Sequence, residues 1–284
     1  MFRFTVATIC FSACALAQTQ PVTIRFRAMV GSEDLACGKT YPNIGTTKST
    51  ITPRDFRFYV SNVRLVDDSG KETFVDLKQD GKWQLDDVAL LDFENATGKC
   101  SNGTPETNDS VTGTVPAGKN YQGLRFTLGV PFEKNHTELT KMPPPLNLTA
   151  LNWVWNAGRK FARLDFSSTG VPRGYAVHLG STGCMPNQTK ETVPTSCSAP
   201  NRVEVEFAQF SADHDVVVAD LAALLQDSNV DVATKEMSGC MSGPTTAACA
   251  PIFENLGLPF PGIQPKKQTF FRKQSAATST SEVN

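Results

Sequence analysis

The chain has 284 residues, of which 40% are hydrophobic, and its 27 basic and 28 acidic side chains leave a formal net charge of −1. This balance excludes the basic footprint that a nucleic-acid-binding protein would need. The hydrophobic content is sufficient for a sizeable core, and the 20 glycines and 18 prolines indicate many turns.

The first 17 residues have the pattern of a secretory signal peptide. A single positive charge, Arg3, precedes a short apolar run, and small residues precede the expected cleavage site after Ala17. The run is too short to span a membrane, and no later segment is apolar enough to do so. We therefore expect a periplasmic or secreted protein. Residues 11–14 (FSAC) make a poor lipobox, so a lipid anchor on Cys14 is the less favoured alternative.

Cysteine usage indicates disulfide bonds. Of the eight cysteines, Cys10 and Cys14 lie in the predicted signal peptide, and the even number that remains is typical of an exported, disulfide-bonded chain. The sequence does not decide the pairing, but proximity favours Cys184–Cys197 and Cys240–Cys249, which leaves Cys37–Cys100 to close a long loop. Paired short spacings such as C-x-x-C are absent, so a structural zinc site is not expected.

Alternating or continuous apolar runs predict a succession of β-strands. In chain order they cover residues 22–29, 55–66, 73–77, 83–85, 88–93, 123–130, 151–155, 160–166, 174–178, 202–207 and 214–218. In the strand at 55–66, Phe56, Phe58 and Val60 share one face, and Val63 and Leu65 require a bulge or a register change. Residues 94–113 are polar and rich in turns.

Helical patterns are confined to residues 220–226 and 247–255, and residues 264–284 are expected to form a flexible tail. Repeats and long linkers are absent. We therefore predict an all-β protein: a single elaborated β-sandwich domain over residues 18–263, with long disulfide-stapled loops and short helices.

Motifs of common enzyme classes are absent from the sequence, including G-x-S-x-G, H-E-x-x-H and the P-loop. Paired cysteines would leave no thiol nucleophile. The carboxylate pairs Asp67/Asp68 and Asp86/Asp87 lie at turns or strand starts and are interpreted as solvated loop residues. We expect a binding protein rather than an enzyme.

The three histidines are the best candidates for metal binding. His136 follows a predicted strand and His178 ends one, while Trp153 and Trp155 lie between them on one face of a third strand. Two imidazoles on rigid strands can hold a copper ion with an open position. The structural alternative is that the tryptophans fill the core and each histidine is hydrogen-bonded locally. His214 is flanked by acidic residues and is expected to be exposed.

Several strings, taken in order, resemble the MbnP-like copper-binding family, the exported "metallo-mystery pair" proteins of bacteria. They include residues 55–65 (DFRFYVSNVRL), 89–94 (ALLDFE), 123–132 (GLRFTLGVPF), 153–155 (WVW) and 178–184 (HLGSTGC). The late cysteines resemble the four-cysteine feature of that family: Cys184, Cys197, Cys240 and Cys249. The resemblance covers about residues 22–260, and the order and number of the strings make it specific.

The resemblance implies a β-rich periplasmic or secreted protein that binds one copper ion, with His136 and His178 as imidazole ligands. It also implies a partner, a di-haem cytochrome c peroxidase-like enzyme of the MbnH type, which oxidises a tryptophan to kynurenine. In this sequence that tryptophan is Trp153 or Trp155. Opening the indole ring yields an aryl amine nitrogen, which is a potential copper ligand.

A hydrogen bond from a neighbouring group is expected to fix the tautomer of each imidazole, with Asp165 and Asp92 as candidate carboxylates. Two other functions fit the same residues. An exported module that binds carbohydrate or a surface partner would use Trp153 and Trp155 as an apolar platform. A copper redox enzyme would use the open coordination position.

Overall fold

The computed structural model of the protein describes residues 18–153, 158–186, 193–235 and 238–275. The predicted signal peptide, with Cys10 and Cys14, lies outside the described residues. Two sheets of mostly antiparallel strands account for most of the regular structure, with a few short helices. The prediction of an all-β sandwich domain is confirmed.

The regular elements are short apart from three long strands. The strands are β1 (Thr19–Val30), β2 (Glu33–Asp34), β3 (Tyr41–Ile44), β4 (Ser49–Asp67), β5 (Glu72–Phe74), β6 (Asp76–Leu77), β7 (Gln84–Leu85), β8 (Val88–Asp92), β9 (Ser110–Pro116), β10 (Tyr121–Leu128), β11 (Asn152–Trp153), β12 (Gly158–Arg159), β13 (Ala162–Ser168), β14 (Tyr175–Leu179), β15 (Thr182–Met185), β16 (Ser196–Ala199), β17 (Val203–Phe207), β18 (Asp215–Asp220), β19 (Ser238–Cys240) and β20 (Phe271–Ser275). The α-helices are α1 (Phe132–Asn135), α2 (Leu221–Leu225) and α3 (Cys249–Asn255), and 3₁₀ turns cover Leu139–Lys141 and Thr149–Leu151.

The first sheet has the strand order β20-β18-β1-β9-β6, and β2 also pairs with β1. Strands β1 and β18 run parallel, with Phe26 opposite Val217, whereas β1 and β9 are antiparallel. The alternation predicted for β1 is confirmed, because Ile24, Phe26 and Ala28 are all buried.

The second sheet has the order β17-β10-β4-β13-β14-β19, and β3, β5 and β8 also pair with the long strand β4. The register between β4 and β10 shifts between the pairs Arg64↔Arg125 and Ser61↔Thr127. Asn62 lies in this interval with φ of 53°, in the left-handed region. This irregularity is the predicted change of register before Val63, and it allows residues on both sides of it to be buried.

Phenylalanine side chains fill the space between the two sheets. Phe26 of β1 meets Phe58 of β4 and Phe126 of β10, with ring centroids 6.1 and 5.6 Å apart. Phe271 of β20 meets the same two rings at 5.6 and 5.2 Å. Edge-to-face pairs of this kind each contribute roughly 0.5–1.5 kcal/mol beyond the area they bury, so this cluster ties the sheets together.

Several short strands, among them β3, β15, β16 and β19, lie where no strand was predicted, and three segments differ from their sequence-based assignment. Residues 73–77 do not form one hairpin strand, because β5 joins the second sheet and β6 joins the first. The turn-rich stretch 94–113 includes the start of β9. The expectation of a flexible tail over 264–284 is wrong for β20, because this strand pairs with β18 and follows the fully buried Phe270. Two adjacent phenylalanines anchor this segment, although polar residues surround them in sequence.

The predicted disulfides are confirmed as Cys37–Cys100, Cys184–Cys197 and Cys240–Cys249. The Asp220 side chain caps α2 by accepting hydrogen bonds from the N–H groups of the two residues after Leu221. Within the described ranges, the helices are all too short or too polar to cross a membrane.

Candidate metal centre

His136 lies immediately after the short helix α1 and is 1% exposed. Its imidazole Nε2 lies 3.1 Å from Nδ2 of Asn135. The backbone N–H of Arg159 donates to Oδ1 of the same amide over 2.8 Å, which fixes the orientation of the amide group. Because Nδ2 can only donate, Nε2 of His136 is the accepting nitrogen and carries a lone pair.

The Cys184–Cys197 disulfide packs beside the same imidazole. It joins directly opposed residues of the β15–β16 hairpin. The sulfur atoms lie 3.8 Å (Cys184) and 3.3 Å (Cys197) from Nε2 of His136, and the three atoms form a compact cluster of potential ligands within 4.8 Å of one another. Since the sulfurs are bonded to each other, they are not thiolates, and thiolate is the form of cysteine that binds metals. The disulfide therefore forms a wall of the histidine site.

His178 lies in β14, and a carboxylate of the neighbouring strand holds its ring. Nε2 of His178 lies 2.8 Å from Oδ1 of Asp165 in β13. Burial alone would raise the pKa of Asp165, but the hydrogen bond from His178 and the charge and hydrogen bond of Arg163 outweigh it and hold the pKa below its ordinary value. The carboxylate is therefore ionised and can only accept, so Nε2 carries the proton.

The second nitrogen of His178 is left with a lone pair. Nδ1 is buried, and no hydrogen-bond partner for it exists among the described residues. An imidazole that donates one nitrogen to a carboxylate and presents the other lone pair has the arrangement of a metal-ligating histidine with its supporting carboxylate. Of the two candidate carboxylates, Asp165 makes this contact. Asp92 instead accepts the backbone N–H of Glu94.

Asp165 belongs to a buried chain of alternating charges. Nε of Arg163 lies 2.8 Å from Asp165 Oδ2 and 3.1 Å from Asp55 Oδ2. Asp55 in turn receives two hydrogen bonds from the guanidinium of Arg57. Burial alone would lower the pKa of Arg57, but the hydrogen bond and charge of Asp55 more than offset this and raise it. These ion pairs hold Asp165 in place beside His178.

Trp153 lies in the short hairpin of β11 and β12 and is 3% exposed. This burial argues against an exposed platform formed by Trp153. Trp155, the other tryptophan predicted to take part in the site, lies outside the described residues. His214, the third histidine, is exposed as predicted.

Two glycines connect Trp153 with the histidines. Gly158 pairs with Trp153 across the hairpin and lies so close to His136 that an added Cβ would come within 3.2 Å of Cε1. Gly180 follows His178 by two residues, and a Cβ there would come within 2.4 Å of Cζ3 of Trp153. Trp153 therefore packs against segments that adjoin both histidines, in one buried region.

The sequence analysis did not identify Arg159, whose side chain holds the backbone turn that carries His136. The side chain is 1% exposed, and its Nη1 donates to the backbone carbonyls on both sides of His136. An arginine after a glycine in a short strand carries no local pattern that predicts burial. Asn135 is part of the string that precedes His136, but its contact with the imidazole depends on the tertiary structure.

Comparisons with known proteins identify the family of the chain. The family model described as MbnP matches residues 19–242. The solved structure of MbnP from Methylosinus trichosporium is similar at 32% sequence identity and a TM-score of 0.79, and the match covers 92% of this chain and 100% of that one. A search of curated proteins finds no match. The extent of the family match and the structural similarity show that this chain belongs to the MbnP family.

Proposed function

We propose that the chain is an exported copper-binding protein that holds one copper ion through His136, His178 and a kynurenine formed from Trp153 or Trp155. In this proposal copper is cargo to be acquired or handled, and the chain is a binding protein rather than an enzyme. A di-haem cytochrome c peroxidase-like partner performs the tryptophan oxidation.

The buried Nδ1 of His178 is the observation that carries the proposal. A buried polar atom without a hydrogen bond is costly, and such atoms in native proteins call for an explanation. A bound metal ion would satisfy Nδ1, while Asp165 supports the opposite nitrogen. His136 carries its lone pair at Nε2, which accepts from Asn135 and would exchange that hydrogen bond for the ion, so both histidines suit an ion that favours imidazole, as copper does.

The position of Trp153 supports its role as the third ligand. Its ring packs against Gly180, and its backbone pairs with Gly158 beside His136. Conversion of the indole to kynurenine would replace an N–H that only donates by an aryl amine that can ligate a metal. Bound copper would supply Lewis acidity or electron-transfer chemistry, and these residues would serve to bind and orient it.

The test is to produce the chain with and without its di-haem partner and to measure copper content and intact mass together. We expect one copper per chain and a mass change at Trp153 or Trp155 only after co-production. His136→Ala and His178→Ala should each abolish stoichiometric copper, while His214→Ala, which removes an exposed imidazole, should leave it unchanged. Absence of copper from the co-produced, modified chain would refute the proposal.

A further inference from the structure

The Cys184–Cys197 disulfide lies against the imidazole of His136, at distances that two metal ligands would have. Nε2 of His136 lies 3.8 Å from Sγ of Cys184 and 3.3 Å from Sγ of Cys197. A tetrahedral zinc ion, with bonds of about 2.0 Å to nitrogen and about 2.3 Å to sulfur, holds its nitrogen and sulfur ligands about 3.5 Å apart. Both sulfur atoms are therefore already at the spacing from the imidazole that such an ion requires.

The bond between the two sulfurs is what prevents them from binding a metal. Thiolate is the form of cysteine that binds metals, and two thiolates on a tetrahedral zinc ion lie about 3.8 Å apart. Reduction supplies both thiolates and lets the sulfurs separate. Nε2 of His136 would exchange its hydrogen bond from Asn135 for the ion. One imidazole and two thiolates suit zinc and similar thiophilic ions, with a fourth position for water.

The β15–β16 hairpin keeps the two cysteines together without the disulfide. Cys184 and Cys197 are directly opposed in it. Paired residues flank them on both sides: Thr182↔Ala199 and Met185↔Ser196. Directly opposed residues of an antiparallel pair have Cβ atoms about 4.5–5.5 Å apart. The register of the hairpin therefore holds both thiols within reach of one ion.

Separate contacts hold the hairpin and the imidazole in place. At the base of the hairpin, Nδ2 of Asn201 donates to the carbonyl of Gly180 over 2.8 Å. On the opposite side, Nη1 of Arg159 donates to the backbone carbonyls before and after His136. These anchors do not involve the disulfide, so the three ligands keep their arrangement when it is reduced.

The hairpin disulfide is accessible to an external thiol. Cys197 is partly exposed, and Met185, next to Cys184, is 61% exposed. The hairpin forms a two-stranded sheet of its own beside the two main sheets. Cys240 and Cys249, by contrast, are both buried in the core. A reductant therefore reaches the hairpin disulfide more readily than the buried one.

We propose that the Cys184–Cys197 disulfide is a redox switch whose reduced form binds a divalent thiophilic ion of the zinc type through His136, Cys184 and Cys197. The reductant is an exported dithiol protein. Its thiolate attacks Sγ of Cys197, the S–S bond breaks, and Cys184 leaves as a thiolate. The second thiol of the reductant resolves the mixed disulfide, so the dithiol is oxidised and the two cysteines gain two electrons and two protons. The ion then displaces both thiol protons to solvent.

Zinc binding by the reduced chain does not depend on the proposed copper function. Only competition between the two ions rests on that function, since Nε2 of His136 is also the atom offered to copper. The chain produced without the di-haem partner is therefore suitable material for the test.

The test compares zinc content before and after reduction of the full chain. The chain is reduced with a phosphine, desalted without oxygen and titrated with Zn(II). We expect one zinc per reduced chain and none in the oxidised chain. Cys184→Ser/Cys197→Ser, treated identically, should bind none. Cys37→Ser/Cys100→Ser should still bind one, although it also removes a disulfide with a partly exposed cysteine.

The imidazole ligand is tested in the same titration. His136→Ala should weaken zinc binding by more than about tenfold, which is the least that loss of even a supporting partner costs a metal site. His214→Ala removes an exposed imidazole and should leave zinc affinity unchanged. Equal zinc affinity in His136→Ala and wild type would overturn the proposed ligand set.

Alkylation of the reduced wild type gives a result that does not depend on the folding of any variant. Zn(II) should slow alkylation of Cys184 and Cys197 by at least about tenfold, because a thiolate bound to the ion is not free as a nucleophile. Peptide mass spectrometry should show no such protection at Cys37 and Cys100.

Three outcomes would overturn the redox switch: equal zinc binding by the oxidised and reduced chains, equal protection of all cysteines, or a Cys184–Cys197 bond that resists reduction in the folded chain. Absence of copper from the co-produced, oxidised chain would instead refute the proposed function and leave the zinc result standing.

Discussion

The imidazole of His178 donates from Nε2 to Asp165 on the adjacent strand, and its Nδ1 is buried with no partner in the described structure. The two residues lie near each other on strands β14 and β13, which are joined through the pair Arg163↔His178. This relationship assigns the proton to one nitrogen and leaves the lone pair of the other for the proposed metal ion.

Replacement of Asp165 should weaken copper binding without removing a ligand. In Asp165→Asn the amide no longer provides an ionised acceptor, so the tautomer and orientation of His178 are less well fixed. We expect copper affinity to fall about 10- to 100-fold, the usual effect of losing a partner that supports a metal ligand. Asp213→Asn, an exposed change beside His214, is the control. Equal affinity in both variants would exclude a supporting role for Asp165.

The Cys184–Cys197 disulfide is predicted to be dispensable as a ligand. In the Cys184→Ala/Cys197→Ala double variant, the wall beside His136 is lost, but both imidazoles remain. We expect copper stoichiometry to persist, with less thermal stability, because removal of a native disulfide costs about 2–5 kcal/mol. The Cys240→Ala/Cys249→Ala variant is the matched control for disulfide loss. Complete loss of copper only from the first variant would mean that sulfur contributes to the site.

Gly180 is predicted to be required for the position of Trp153. A Cβ at residue 180 would come within 2.4 Å of Cζ3 of Trp153 and within 3.0 Å of the carbonyl oxygen of Arg159. Gly180→Ala should displace the indole, cost about 1–3 kcal/mol of stability as an overpacked core residue does, and reduce kynurenine yield in mass spectra. Gly70→Ala has open space at the added Cβ and carries only the backbone strain of its φ of 81°, remote from Trp153 in sequence, so its kynurenine yield should match that of wild type.

Phe58 is predicted to be the most costly ring to remove from the core. It contacts rings from both sheets, including Phe26 of β1 and Phe271 of β20. Phe58→Ala should lower the free energy of unfolding by about 3–5 kcal/mol. Phe74→Ala removes a ring that is 62% exposed and should change it by less than about 0.5 kcal/mol. Chemical denaturation with intact disulfides measures both, and similar values for the two would contradict this account of the core.

Asp92 is predicted to make stability depend on pH between about 4, its ordinary pKa, and about 7, its pKa in the folded protein. Burial raises the pKa of Asp92 to about 7, partly offset by Arg57. In the unfolded chain the carboxyl group has its ordinary pKa. Between the two pKa values, the folded protein therefore keeps a proton on Asp92 that the unfolded chain has lost. Stability from this group is thus fully present below about pH 4 and is lost as the pH rises to 7, by about 4 kcal/mol. In Asp92→Asn this slope should disappear, and an unchanged slope would exclude Asp92 as its source.

Local patterns in the sequence were sufficient for much of the fold. The alternation of apolar residues predicted β1 and most of β4, including the change of register near Asn62, because side-chain direction along a strand depends on nearest neighbours. Proximity along the chain was enough to favour Cys184–Cys197 and Cys240–Cys249. The order of short strings, rather than any one of them, indicated the MbnP family, which the comparisons confirmed.

Only the tertiary structure decided the surroundings of the histidines. The sequence offered Asp165 and Asp92 equally, and strand pairing placed Asp165 beside His178. Arg159 lies 23 residues from His136 in the sequence, and its burial and its bonds to the His136 turn follow from packing between hairpin and loop. β20 likewise became a strand because Phe270 and Phe271 find a core that distant segments build. Such contacts depend on which distant segments meet, and no local periodicity encodes that.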